Sequence, residues 1–111
     1  MKRKYLFLRE NIVEIMIADD FISRCCGLLG TKSLSQDKGL LLCPCNSVHM
    51  VGMRYALDIV YLNKTDKIIK IVENLRPFQF SGCWGAAAVL ELRAGTVQRA
   101  GWELGQQVKW Q

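Results

Sequence analysis

Leu57-Asp58-Ile59-Val60-Tyr61-Leu62-Asn63-Lys64-Thr65-Asp66-Lys67-Ile68-Ile69-Lys70-Ile71-Val72 decides the fold class. Two apolar, β-branched runs, Leu57–Leu62 and Ile68–Val72, flank a polar stretch rich in turn formers, and that pattern predicts a β-hairpin. Both runs are too short for helices of ordinary length, and their branched side chains suit a pleated surface. Asp58 interrupts an otherwise apolar strand. A carboxylate in that position needs a partner, and Arg54 is the nearest candidate in sequence.

Outward from the hairpin the same grammar repeats. Lys4–Leu8 and Asn11–Ala18 read as two strands separated by Arg9-Glu10. Gly39–Cys43 is a short apolar strand stopped by Pro44, and Ser47–Met50 is a further strand or an irregular crossing. Asn74–Gly85, without periodicity and holding Pro77, is expected to be a long loop. Ala88–Leu92 and Gln107–Trp110 complete the strands. Asp19 or Asp20 is placed to cap a short helix carrying Phe21, Ile22, Cys25, Leu28 and Leu29 on one stripe. A second helical stretch, Gly95–Ala100, ends at Gly101. Seven or eight short strands with one or two short helices predict a mainly β, single-domain fold over 1–111. A β-sandwich or a jelly-roll-like, partly closed barrel fits that count. Strands do not alternate regularly with helices, which argues against a parallel α/β sheet.

The composition supports a packed core: half of the 111 residues are apolar and 23% are charged. No stretch approaches the roughly 20 apolar residues of a membrane span. The apolar run after Met1-Lys2-Arg3-Lys4 ends at Arg9, too soon for a secretory signal, so a cytoplasmic protein with a basic first strand is expected. Five cysteines, an odd number with Cys25 and Cys26 adjacent, fit reduced thiols. The net charge of +5 is spread along the chain rather than gathered on one helix, which argues against a nucleic-acid partner.

Reactive residue types concentrate in Cys43-Pro44-Cys45-Asn46-Ser47-Val48-His49-Met50-Val51-Gly52-Met53-Arg54, with Asp58 close behind. Metal binding by Cys43, Cys45 and His49, with Cys83, would use a Cys-x-Cys gap shorter than zinc knuckles use and split by a proline. Nucleophilic catalysis by Cys45 with His49 as base needs the chain to double back, because four extended residues span about 13 Å. Thiol redox chemistry at Cys43/Cys45 needs a strained ring. A non-covalent pocket remains, in which Arg24 and Arg54 supply charge while Ser47, His49 and Asp58 orient a small polar or anionic ligand. So does a purely structural reading, with His49 and Asp58 satisfied inside the fold and Arg54 pinning a loop. Glu91, in Val89-Leu90-Glu91-Leu92, is expected to face solvent or to pair with Arg24. Trp84 is a candidate ligand platform because it lies in the long loop.

Arg24-Cys25-Cys26-Gly27-Leu28-Leu29-Gly30, Gly39-Leu40-Leu41-Leu42, Pro44-Cys45-Asn46-Ser47-Val48-His49, Gly52-Met53-Arg54, Leu57-Asp58-Ile59-Val60, Val89-Leu90-Glu91-Leu92 with Ala94-Gly95, and then Gly101 and Gly105, follow one another in a characteristic order. That succession closely resembles the domain of unknown function family numbered 192, from about Ile12 to Val108. Met50 stands where many relatives have Thr, and Ala56 and Arg93 where Pro is common. The resemblance implies a small, mainly β fold of the sandwich or jelly-roll kind and assigns no activity. It marks Arg24, Gly27 and Leu28, and His49, Gly52, Met53, Arg54 and Asp58, as site positions. The functional expectation is therefore a non-catalytic binding or accessory module with a polar pocket near Arg24, Ser47, His49, Arg54 and Asp58. No metal or cofactor is expected. The alternatives are a small enzyme using Cys45 and His49, or a structural or protein-interaction module.

Overall fold

The computed structural model describes residues 2–20 and 28–111. The strands are β1 (Lys2–Leu8), β2 (Asn11–Ala18), β3 (Lys38–Leu42), β4 (Ser47–His49), β5 (Leu57–Leu62), β6 (Ile68–Leu75), β7 (Phe80–Gly82), β8 (Ala88–Arg93) and β9 (Lys109–Trp110). A single-turn helix, α1 (Thr96–Ala100), follows β8. The predicted helix over Phe21–Leu29 falls largely outside the described residues.

Seven strands form one curled sheet in the order β6-β5-β8-β3-β2-β1-β9, and β4 pairs with β7 in a second, small sheet. The fold is mainly β, a half-barrel sheet with a smaller sheet against it, as the strand count predicts. Every pairing is antiparallel except β2 with β3. The segment 105–108 bridges the two ends of the curl. Ile68 N–H donates to Gln106 O, Gly105 N–H to Ile68 O, and Val108 N–H to Asp66 O, just before β9 joins β1.

Two apolar clusters lie on opposite faces of the large sheet. Leu6, Ile15, Leu41, Val60, Leu90 and Leu92 line the inside of the curl, with Val97 and Trp102 packed on them. Leu40, Leu42, Leu57, Ile59, Tyr61 and Val89 line the other face, covered by Val48, Met50 and Met53 from β4 and the turn after it. Strand β5, flanked by β6 and β8, is consequently buried at all its positions, which explains why its sequence is, Asp58 apart, a continuous apolar run rather than an alternating one.

The predicted hairpin is β5–β6. Asn63 Oδ1 holds its turn by accepting from the amides of Thr65 and Lys67, and Asp66 takes a left-handed φ of 62°. Gly39 shows how tightly the sheet packs. A Cβ there would lie 2.7 Å from Leu92 Cδ2, 2.9 Å from Ile15 Cδ1 and 3.0 Å from the Glu91 carbonyl. Gly39→Ala is expected to lower the unfolding free energy by about 1–3 kcal/mol in urea denaturation, as overpacking does. An unchanged midpoint would show that the two neighbouring side chains move aside freely.

Candidate ligand-binding face

Alternation along the strands sorts the predicted site residues. Val48 of β4 points inward and is buried, so Ser47 and His49 point outward and are exposed. In β7, Ser81 points inward, where its hydroxyl accepts from Tyr61 Oη at 2.8 Å. Phe80 and Gly82 therefore share the outer side with their register partners, His49 and Ser47 respectively. Tyr61 is buried beneath the small sheet, and burial, the largest cause, raises its phenol pKa above the usual value. Lys70 lies 5.8 Å from the Tyr61 ring centre and donates to Gly82 O at 2.7 Å, which fixes β7 over β5 and β6.

Beyond His49, Met50 anchors two turns. Its amide donates to Gln79 O, and its carbonyl accepts from Met53 N–H and Phe78 N–H. Arg54 and Arg76 leave these turns exposed to solvent. At the other end of β7, Trp84 is 99% exposed. It walls a recess of about 290 Å³ with Asn46, Ser47, Gly82 and Cys83. Lys64 and Asn46 line the neighbouring recess with Pro44, Cys45 and Gly85.

Asp58 lies elsewhere. Its side chain shares the face of Val60 and Leu62, inside the curl, and is fully buried. Three backbone amides surround it: Asn74 N–H donates to Oδ1 at 2.9 Å, and Gly95 and Val97 N–H donate to Oδ2 at 3.0 Å each. Those amides, not the Arg54 named from sequence proximity, are its hydrogen-bond partners. The large sheet separates Asp58 from Ser47 and His49. Of the predicted residues, the fold brings Ser47 and His49 onto one face with Arg54 at its margin. Arg24 is outside the described residues.

The cysteines divide in a related way. Cys43, Cys45 and Cys83 are unpaired and half-buried. Cys45 packs against the cluster under the small sheet and donates its thiol to Ser47 O at 3.0 Å, whereas His49 projects to solvent. No group of three or more metal-ligating side chains occurs among the described residues.

Glu91 departs most from its sequence reading. It is 6% exposed, not on a solvent face. Its register partners on the two sides are Leu40 and Ile59. Burial pushes its carboxyl pKa up to about 7. The strand β7 was also missed, since it lies inside the expected loop Asn74–Gly85. Its only sequence signal is the alternation Phe78-Gln79-Phe80-Ser81-Gly82, too short to register as a strand.

The family model DUF192, "Uncharacterized ACR, COG1430", matches residues 6–110. The chain belongs to the DUF192 family. Two solved structures share this DUF192 fold. A protein of unknown function from Novosphingobium aromaticivorans DSM 12444 superposes with a TM-score of 0.86 at 20% identity, over 97% of this chain and 84% of the other. A Sinorhizobium meliloti 1021 protein described as "a putative transcription regulator" has a TM-score of 0.87 at 25% identity, over 97% and 92%. No curated protein matches the chain. Among the described residues of this DUF192 protein, no helix is long and apolar enough to cross a membrane.

Proposed function

We propose that this DUF192 protein is a non-catalytic binding or accessory module whose ligand face is the outer side of the β4–β7 sheet. The observation that carries this reading is the fully exposed Trp84 beside Ser47 at the recess over Gly82, with the His49–Phe80 pair two positions further along the same face. An indole exposed to 99% gains nothing from the core, and an aromatic plate beside hydroxyl, amide and imidazole groups suits a polar ligand with a flat face. Ser47 and His49 orient the ligand, and Arg54, with Arg24 carried over from the family motif, supplies positive charge for an anionic group. Asp58 serves the site indirectly by fixing the framework beneath it. The separation of Cys45 from His49 favours this reading over thiol catalysis. Three unpaired thiols support a reducing, cytoplasmic location.

Arg54→Ala tests the arrangement. Arg54 is exposed on a surface turn, so its loss is expected to change stability by no more than about 0.5 kcal/mol. Amide chemical shifts of β4 and β7 are expected to move on titration with a panel of phosphate, dicarboxylate and monosaccharide, and the anion responses to weaken in the variant. A panel that perturbs other surfaces and leaves β4 and β7 still would refute the assignment.

A further inference from the structure

The chain's acidic residues are unevenly placed. The small sheet and its flanking turns come from residues 38–57 and 74–90, and neither stretch contains an Asp or Glu. Of the four acids that border them in sequence, Asp37 precedes β3, Asp58 is turned inward onto amides, Glu73 is on β6 and Glu91 is buried in β8. The fold thereby collects cations that are far apart in sequence around a face whose own strands and turns carry no acid, Asp66 in the turn of Lys64 being the nearest half-exposed carboxylate at that end. Arg54 and Arg76 stand at the His49 end, and Lys64 lines the recess at the Trp84 end.

Exposed rings accompany the charge. Phe80 is 72% exposed and pairs across the sheet with His49. Trp84 follows four residues later, at most about 13 Å away along an extended chain, with Gly82 between them. Phe78 is 71% exposed and has a φ of 70°, a left-handed conformation that a bulky aromatic residue rarely adopts. Its amide is held to Met50 O at 3.0 Å, so the turn presents the ring to solvent by construction. Neither core packing nor backbone preference accounts for that position, which points to a surface role.

Resting on the ligand-face reading above, we propose that this surface binds single-stranded nucleic acid. Bases stack on Trp84 and on the His49–Phe80 pair, the backbone crosses the floor left open by Gly82, and Lys64, Arg54 and Arg76 neutralise phosphates. Exposed rings interleaved with cations recognise unpaired bases, whose faces are available for stacking whatever the sequence. Asn46 and Ser47 beside Trp84, with Lys64 at the neighbouring recess, interrupt the apolar surface, which is unsuited to insertion into a lipid surface that favours an unbroken apolar tip. A neutral sugar would not call for a face free of carboxylates. The scattered lysines and arginines of the linear sequence gave no sign of this, because only the fold gathers them.

The test is fluorescence anisotropy of labelled oligothymidylate and oligouridylate with the full chain, alongside amide chemical shifts. Binding is expected to fall steeply with salt, with a log–log slope of about −2 for three neutralised phosphates, less negative by about 0.7 in Arg76→Ala. Trp84→Ala is expected to weaken binding about tenfold or more. Gly82→Val provides a second variant. A Cβ at Gly82 meets Asn46 O and Ser47 Cβ only at 3.7 Å, so the fold accepts it while the added side chain covers the floor. It is expected to weaken binding as strongly as Trp84→Ala, with unchanged circular dichroism. A preference between the two oligonucleotides distinguishes RNA from DNA as the partner. Binding that survives both variants would overturn the proposal. Binding to phosphatidylserine vesicles without binding to either oligonucleotide would overturn it as well. Shifts of β4 and β7 with phosphate, dicarboxylate or sugar but not with oligonucleotide would overturn this inference and leave the ligand-face reading standing. No shift of β4 and β7 with any of these would end both.

Discussion

Asp58→Ala is expected to lower the unfolding free energy by roughly 3 kcal/mol in urea denaturation, because it leaves one buried and two part-buried N–H groups without their acceptor, at about 1–3 kcal/mol for the buried one and less for the others. The need for the carboxylate follows from the local backbone. Leu57 pairs with Leu75 and Ile59 with Val72, so two residues of β6, Glu73 and Asn74, stand opposite Asp58 alone. That bulge takes the Asn74 amide out of the ladder, and Asp58 Oδ1 accepts it. The other oxygen serves α1, a helix too short to be stable by itself and without a side-chain cap of its own. Gly95 sits at its N-terminus with a φ of 95°, and the amides of Gly95 and Val97 both reach Asp58 Oδ2. One side chain thus closes a bulge and caps a helix. Asp58→Asn keeps one acceptor oxygen and is expected to lose about half as much. A loss below about 1 kcal/mol in Asp58→Ala would show that water reaches these amides and that the carboxylate is dispensable.

Glu91 gives the second large effect, through pH. Its pKa in the folded chain is about 7 against 4.5 in the unfolded chain, so the native state holds the proton more tightly. Stability from this group is therefore fully present below pH 4.5 and is lost as pH rises through about 7. The difference of about 2.5 pKa units corresponds to roughly 3 kcal/mol. Glu91→Gln, which cannot ionise, is expected to flatten the profile of unfolding free energy against pH across this range. Identical slopes in the variant and the parent would assign the dependence to other groups.

Much of the fold was legible because it is written in local terms. The β5–β6 hairpin combines two β-branched runs with an Asn63 turn, and Gly101 stops α1 by adopting a φ of 70°. What eluded the sequence depends on neighbours distant along the chain. The pattern Val-Leu-Glu-Leu reads as one face to solvent, but the face carrying Glu91 is roofed by Val48, Met50 and Met53 from another part of the chain. Asp58 was recognised as a residue in need of a partner, and its nearest cation in sequence was the obvious choice. The real partners are main-chain amides, which have no signature in residue identity. Strand β7 was lost in a stretch with a proline and glycines because its pairing with β4 spans three residues. Ser47 and His49 were legible as chemistry. Their position beside Trp84 and Phe80 was not, since it requires the register of that pairing.

The bridging segment 105–108 has a consequence for self-association. A curled sheet that stops short of closure leaves two edges, here β1 and β6, whose free amides and carbonyls are templates for another chain. A single stretch near the C-terminus covers part of both: residues 105–108 bond at Ile68, the first residue of β6, and β9 then lies along β1 at Leu6 and Phe7. Because β9 pairs through only two residues, the new edge it creates is too short to recruit a strand. Any event that peels residues 105–110 away would therefore lengthen two open strand borders at once.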